Sequence, residues 1–192
     1  MKARWLPLLL ALLTAVAAPA APLPSDSVLQ PMPAYTDQSG HDFHLAERRG
    51  QVQIVSMFYT SCTYTCPLTI DAGLGIDKSL TADERARLHV LMVSFDTDRD
   101  TPPVLAALAA KRRLDTSRWT LARGNADSVR LLAAVLGVRY RKLANGDFSH
   151  TSEWILLDPE GRILARTDVL GAKPDPQFLA AVRKAVARAG SG

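Results

Sequence analysis

Val52-Gln53-Ile54-Val55-Ser56-Met57-Phe58, followed by Tyr59-Thr60-Ser61-Cys62-Thr63-Tyr64-Thr65-Cys66-Pro67, is the stretch that decides how this chain folds. Its first seven residues are mostly β-branched or apolar and too few for a helix of ordinary length, which predicts a buried strand. Proline has no N–H to donate and presets a helical φ. Pro67 therefore suits the first helical position, with Cys66 predicted as the N-cap and the helix running towards Ser79 through Gly73 and Gly75. Both cysteines thus fall on a strand-to-helix turn, with Cys62 at the C-terminal end of a buried strand.

Working outward, Leu88 to Phe95 predicts a second buried strand, closed by the acidic turn Asp96-Thr97-Asp98-Arg99-Asp100. Those aspartates read as helix-capping and solvated, with Asp100 also placed to orient a site from behind it. Thr101-Pro102 starts a helix with Val104, Leu105 and Leu108 on one face, and Asn125 caps another whose inner positions are Val129, Leu132, Ala133 and Leu136, ending at Gly137. Trp119 to Leu121 is a short strand between them. Trp154 to Leu157 and Ile163 to Arg166 flank Asp158-Pro159-Glu160-Gly161, a type I turn sequence, and form a hairpin. A last helix opens at Asp175-Pro176 with Leu179, Val182 and Val186 on one side. Ahead of all these, Tyr35 to Phe43 reads as a hairpin turning at Ser39-Gly40, a lid-like preface to the core. The order predicts an α/β protein of thioredoxin-like fold, a central mixed sheet flanked by helices with an N-terminal hairpin.

Met1-Lys2-Ala3-Arg4 is a positive n-region ahead of an apolar run from Trp5 to Ala18, and Ala18-Pro19-Ala20 has the small residues of a cleavage site. Residues 1–20 are read as a cleaved export signal, the alternative being a signal anchor that leaves the domain membrane-bound. Residues 21–34, with Pro22, Pro24, Pro31 and Pro33, form a Pro-rich lead-in, and 35–192 a single domain. Losing Lys2 and Arg4 with the signal takes two from a formal charge of +4. The remaining Lys and Arg are interspersed with Asp and Glu, so no basic stripe points to nucleic acid. The clusters at Arg139, Arg141 and Lys142 and in the last helix read as solvated faces.

The chain carries 2 cysteines, and they are four residues apart. A disulfide closing so short a loop constrains the unfolded chain little, which turns attention from stability to redox or metal chemistry. Two thiols at the positive end of a helix favour thiolate, and so favour both nucleophilic attack and metal binding. The three residues between the sulfurs depart from the two-residue spacing of disulfide oxidoreductases and suit a chelate. Thiolates are soft ligands for Cu(I), and an added imidazole allows Cu(II) as well. Of 4 histidines, His89 lies on a predicted strand, and His41 and His44 belong to the N-terminal hairpin with no cysteine or carboxylate motif beside them. His150 precedes the Trp154 strand, and its sequence context alone leaves it open between loop residue and third ligand.

Three blocks in order, Met57-Phe58-Tyr59-Thr60-Ser61-Cys62-Thr63-Tyr64-Thr65-Cys66-Pro67-Leu68-Thr69, Val93-Ser94-Phe95-Asp96-Thr97-Asp98-Arg99-Asp100-Thr101-Pro102, and His150 ahead of Leu157-Asp158-Pro159-Glu160-Gly161, resemble the Sco/SenC family of copper chaperones. The resemblance spans roughly residues 35–188. It implies Cu(I) or Cu(II) held by Cys62, Cys66 and His150. It also implies a periplasmic role in assembling the copper A centre of cytochrome c oxidase, by metal transfer or by reduction of that centre's cysteines. The implied partners are the copper A-bearing subunit and another periplasmic copper chaperone or thiol reductant. Many relatives carry an acidic residue between the cysteines, where this chain has Thr63-Tyr64-Thr65.

The rival class is a periplasmic thiol–disulfide oxidoreductase in which Cys62 and Cys66 are the redox-active thiols and Cys62, the more exposed, attacks. Such enzymes place a cis-proline before the hairpin, and residues 141–153 contain no proline. A peroxidase motif is absent ahead of Cys62.

Overall fold

The computed structural model describes residues 21–190; the export-signal reading of residues 1–20 lies outside them. Among the described residues no helix is long and apolar enough to cross a membrane.

The chain builds β1 (Tyr35–Asp37), β2 (Asp42–Phe43), a 3-10 turn (Leu45–Arg48), β3 (Val52–Phe58), α1 (Thr65–Ser79), α2 (Ala82–Ala86) and β4 (Leu88–Ser94). It continues through α3 (Pro102–Arg112), β5 (Trp119–Arg123), α4 (Ala126–Leu136), β6 (Tyr140–Lys142), β7 (Phe148–His150), β8 (Trp154–Leu157), β9 (Ile163–Thr167) and α5 (Pro176–Ala189). Seven strands form one sheet in the order β2-β1-β5-β4-β3-β8-β9, and β6 pairs with β7 alone. Strands β3, β4 and β5 run parallel, Ile54 facing Val90 and Val90 facing Trp119, while β8 joins β3 antiparallel with Ile54 facing Leu156. All seven residues of β3 are buried. A strand covered on both faces cannot alternate apolar with polar, which is why the segment reads as a continuous apolar run. The result is the thioredoxin-like mixed sheet with helices packed against it.

Helix α1 lies close over the sheet because of one glycine. A Cβ at Gly73 would sit 2.6 Å from Trp154 Cζ2 and 2.8 Å from Trp119 Cη2, so only glycine lets the helix approach that edge-to-face tryptophan pair. Trp154 Nε1 donates to the Thr69 carbonyl at 3.0 Å, tying β8 to the first turns of α1.

Several sequence expectations need correction. The N-terminal hairpin turns at Gly40, in the left-handed region at φ 84°, as expected, but it is no lid. Strand β1 pairs antiparallel with β5 and extends the sheet, with Tyr35 buried and its hydroxyl donating to the Ser128 carbonyl at 2.8 Å. Packing begins before Tyr35, since Val28 and Leu29 of the lead-in are buried. Helix α1 starts at Thr65, with Tyr64 at the N-cap, so Cys66 is already inside the helix; proline is tolerated throughout a first turn whose N–H groups lack helical partners. Val104 is exposed, and the buried positions of α3 are Leu105 and Ala109. Asn125 and Gly137 cap α4 as expected.

Candidate metal and thiol centre

Cys62 follows the last residues of β3, its N–H donating to the Tyr59 carbonyl at 3.4 Å in a tight turn. Tyr64, at the N-cap of α1, offers no side-chain acceptor, and the Cys62 sulfur supplies one instead, accepting the Cys66 N–H at 3.2 Å. One of the helix's free donors is thus spent on the Cys62 sulfur. Partial burial alone would raise the Cys62 thiol, but hydrogen bonds to its sulfur from Cys66, Tyr64 and Thr65 outweigh this and hold its pKa below the ordinary cysteine value.

Cys66 is the opposite case. It is 3% exposed, and burial pushes its thiol well up, helped by the neighbouring Cys62 sulfur and the Asp100 carboxylate. The expectation of two activated thiols therefore holds at Cys62 and fails at Cys66, because position along the helix turn does not offset desolvation.

His150 arrives from the far side. It ends β7, in a hairpin the sequence reading passed over as loop: Tyr140 faces His150 and Lys142 faces Phe148. A signal was there, since Asn145-Gly146 lies between two short runs with alternating apolar positions, the mark of a hairpin turn. Gly146 takes φ 85°. The imidazole packs edge-on against Tyr59, ring centres 5.8 Å apart, and lies tilted against Phe95 at 5.0 Å. Its Nδ1 lies 3.1 Å from the Thr151 carbonyl, which can only accept, so Nδ1 carries the proton and Nε2 keeps its lone pair. Nε2 stands 3.9 Å from Cys66 Sγ. Burial lowers the imidazole pKa, with the Thr151 bond opposing, so the ring is neutral at neutral pH.

One turn positions both halves of this arrangement. Asp100, fully buried, accepts from the Thr60 N–H at 2.9 Å and from the Thr60 and Ser94 hydroxyls, fixing the turn that carries Cys62. Its neighbour Arg99 pairs with buried Asp96 and donates to the Gly146 carbonyl at 2.6 Å, and Lys142 bridges to Asp98 at 3.1 Å, fixing the hairpin that carries His150. The reading of this turn as solvated fails for Asp96 and Asp100, whose side chains are spent on internal bonds, and is right for exposed Asp98.

Cys62 Sγ, Cys66 Sγ and one nitrogen of His150 all lie within 4.8 Å of one another, the one such group of three His, Cys, Asp or Glu side chains among the described residues. Two soft sulfurs and an imidazole fit copper in either oxidation state. His41 is exposed beside Asp37, and His44 Nδ1 contacts the Met32 carbonyl at 3.0 Å, so neither belongs to the site. His89 lies on β4 away from it.

Residues 28–187 match the family model described as SCO1/SenC. The chain belongs to the SCO1/SenC family. It is 26% identical over 131 residues to a protein of Stutzerimonas stutzeri described as copper-binding, and spans 66% of this chain and 63% of that one. Among solved structures it is similar to a SCO1/SenC family lipoprotein of Bacillus anthracis, with TM-score 0.73 at 22% identity over 84% of this chain and 96% of the other. Copper-bound ScoI of Arabidopsis thaliana gives TM-score 0.70 at 16% identity, over 84% and 99%. At such identities the two structures speak to the fold alone, and they agree with the thioredoxin-like architecture.

Proposed function

We propose that this chain is an exported, periplasmic copper-binding protein that holds copper between Cys62, Cys66 and His150 and serves assembly of the copper A centre of cytochrome c oxidase. The observation that carries the reading is the convergence of two sulfurs and an imidazole nitrogen within 4.8 Å from elements far apart in sequence. Copper in the related Arabidopsis ScoI supports the choice of metal. When bound, copper accepts soft thiolate donation, and the neutral imidazole adds the nitrogen that Cu(II) requires. Cys62 ionises more readily than an ordinary cysteine, Cys66 would give up its proton on binding, and Thr151 fixes the imidazole so that Nε2 faces the sulfurs.

Adding copper to the reduced protein, with absorption and stoichiometry recorded, tests this. One copper per chain with a thiolate-to-Cu(II) band is the expected result, and absence of both sinks the reading.

The unequal cysteines favour a second activity at the same sulfurs. Cys62 thiolate would attack a target disulfide, forming a mixed disulfide and releasing one target thiolate; Cys66 would then displace the second, leaving Cys62–Cys66 oxidised and the target reduced. Copper A cysteines reduced in this way would be an alternative route to the same assembly step. A Cys62→Ser variant that still reduces a disulfide substrate would remove this reading.

A further inference from the structure

Tyr59 is only 5% exposed, and a buried phenol needs a partner for its hydroxyl. Tyr35, also buried, spends its hydroxyl on the Ser128 carbonyl, a tie between β1 and α4. Tyr59 spends its own at the metal and thiol centre. It lines both the depression of about 300 Å³ that Cys62 shares with His150 and the groove of about 350 Å³ that Cys62 shares with Cys66. Its ring lies edge-on to Phe148 with centres 5.1 Å apart, in the same cluster that holds the His150 imidazole.

The β6–β7 register leaves a donor for this hydroxyl. Leu143 N–H donates to the Asp147 carbonyl at 2.7 Å, and Thr151 N–H to the Arg139 carbonyl at 2.9 Å. Bonded and non-bonded pairs alternate along an antiparallel ladder, so Lys142 and Phe148 form a non-bonded pair and the Phe148 N–H turns away from β6. Among the described residues β6 and β7 pair only with each other, so no second strand takes that N–H. The Tyr59 hydroxyl accepts it and donates in turn to the Cys62 sulfur. The phenol keeps its proton at neutral pH, since its ordinary pKa is about 10 and burial raises it. A polar chain therefore runs from the hairpin that carries His150, through one hydroxyl, to the sulfur of Cys62. Unlike the backbone N–H groups of Tyr64, Thr65 and Cys66 at the same sulfur, this donor can be removed by a substitution that leaves the ring in place.

A hydrogen bond to a metal-bound thiolate withdraws electron density from the sulfur. Donation to Cu(II) suffers more from this than donation to Cu(I), so the bond favours the reduced metal. We infer that Tyr59 is a positioning residue that sets the redox preference of the copper site, its hydroxyl bridging the Phe148 N–H and the Cys62 sulfur. The inference rests on the copper-binding reading and adds to it a residue that touches no metal.

Tyr59→Phe tests it. Tyr140→Phe is the control, because Tyr140 stacks on Phe95 at 4.7 Å in the same aromatic cluster but has no bond to Cys62. Copper is added to wild type and to each variant, and the stoichiometry, the thiolate-to-Cu(II) band and the Cu(II)/Cu(I) midpoint potential are read. Tyr59→Phe is expected to keep one copper per chain and to move the band to longer wavelength. Its preference for Cu(II) over Cu(I) should rise about tenfold, a fall of about 59 mV in midpoint potential. Tyr140→Phe is expected to change neither band nor potential. A band and potential that stay put or move the other way in Tyr59→Phe, or that change equally in both variants, overturn the inference and leave the copper reading intact. Loss of copper from Tyr59→Phe also overturns it, because a residue that only tunes the sulfur is not a ligand. Wild-type protein that binds no copper removes the copper reading and this inference with it.

Discussion

His150 Nε2 stands 3.9 Å from Cys66 Sγ although 84 residues separate them, and the two come from opposite sides of the site, one on a hairpin and one in the first turn of a helix. Two sulfurs suffice for Cu(I), whereas Cu(II) needs a further donor. His150→Ala is therefore expected to keep appreciable Cu(I) binding and lose stable Cu(II), while Cys62→Ser or Cys66→Ser abolishes both. His41→Ala and His44→Ala change neither. Anaerobic titrations with each oxidation state check this, and undiminished Cu(II) retention in His150→Ala would take that residue out of the site.

The two thiols should titrate apart. With the Cys62 pKa lowered and the Cys66 pKa raised, alkylation of the reduced, metal-free protein is expected to modify Cys62 alone, and its rate should rise with pH through a midpoint below that of an ordinary cysteine. Cys66 should react only after unfolding. Mapping the label by peptide mass decides it, and equal labelling of both residues in the folded protein contradicts the asymmetry.

Asp100 is a buried carboxylate serving Thr60 and Ser94. Asp100→Ala leaves those donors without an acceptor and should cost about 1–3 kcal/mol. Urea unfolding would show this as a lowered midpoint. The same variant should blunt the reactivity of Cys62, because the Thr60 turn is no longer held. Wild-type stability would mean the turn is fixed by other contacts.

Arg99 acts on the other half of the site, through the Gly146 carbonyl and Asp96. Its side chain is half exposed, so Arg99→Ala should change stability little. Loosening the hairpin should nonetheless weaken Cu(II) binding by roughly tenfold while leaving Cu(I) near wild type, the split expected of a residue that positions His150 rather than one that ligates. Equal losses in the two oxidation states would point instead to general disruption.

Gly73→Ala puts a methyl group into Trp154 and Trp119. A gain in helix propensity of about 1 kcal/mol is set against overpacking of about 1–3 kcal/mol, and the net effect is expected to be destabilising. Tryptophan fluorescence and thermal unfolding report it together. A stabilised variant would show that α1 can shift outward freely.

Much of this was legible in the sequence, and for a common reason. Strands β3 and β4, the helix after Pro67, the caps at Asn125 and Asp175 and the turn at Gly161 depend on backbone preferences and short-range patterns that a few neighbouring residues dictate. The cysteine pair was legible for the same reason, since proximity in the chain guarantees proximity in space. What the chain alone left open were relations between distant segments. The N-terminal hairpin read as a lid because its sequence is short and turn-rich, and only pairing with β5 makes it part of the sheet. The segment 140–150 hid its two short strands, which pair with each other and not with the main sheet. The acidic turn read as solvated because charge near the surface usually is, but its fate depends on Thr60 and Ser94 arriving beside it. Two thiols on a strand-to-helix turn could be read from neighbouring residues alone. That the Cys62 thiol is held below and the Cys66 thiol above the ordinary cysteine range, and that an imidazole faces them, follows only from tertiary structure, because burial and contacts between distant segments are set by packing and not by neighbours along the chain.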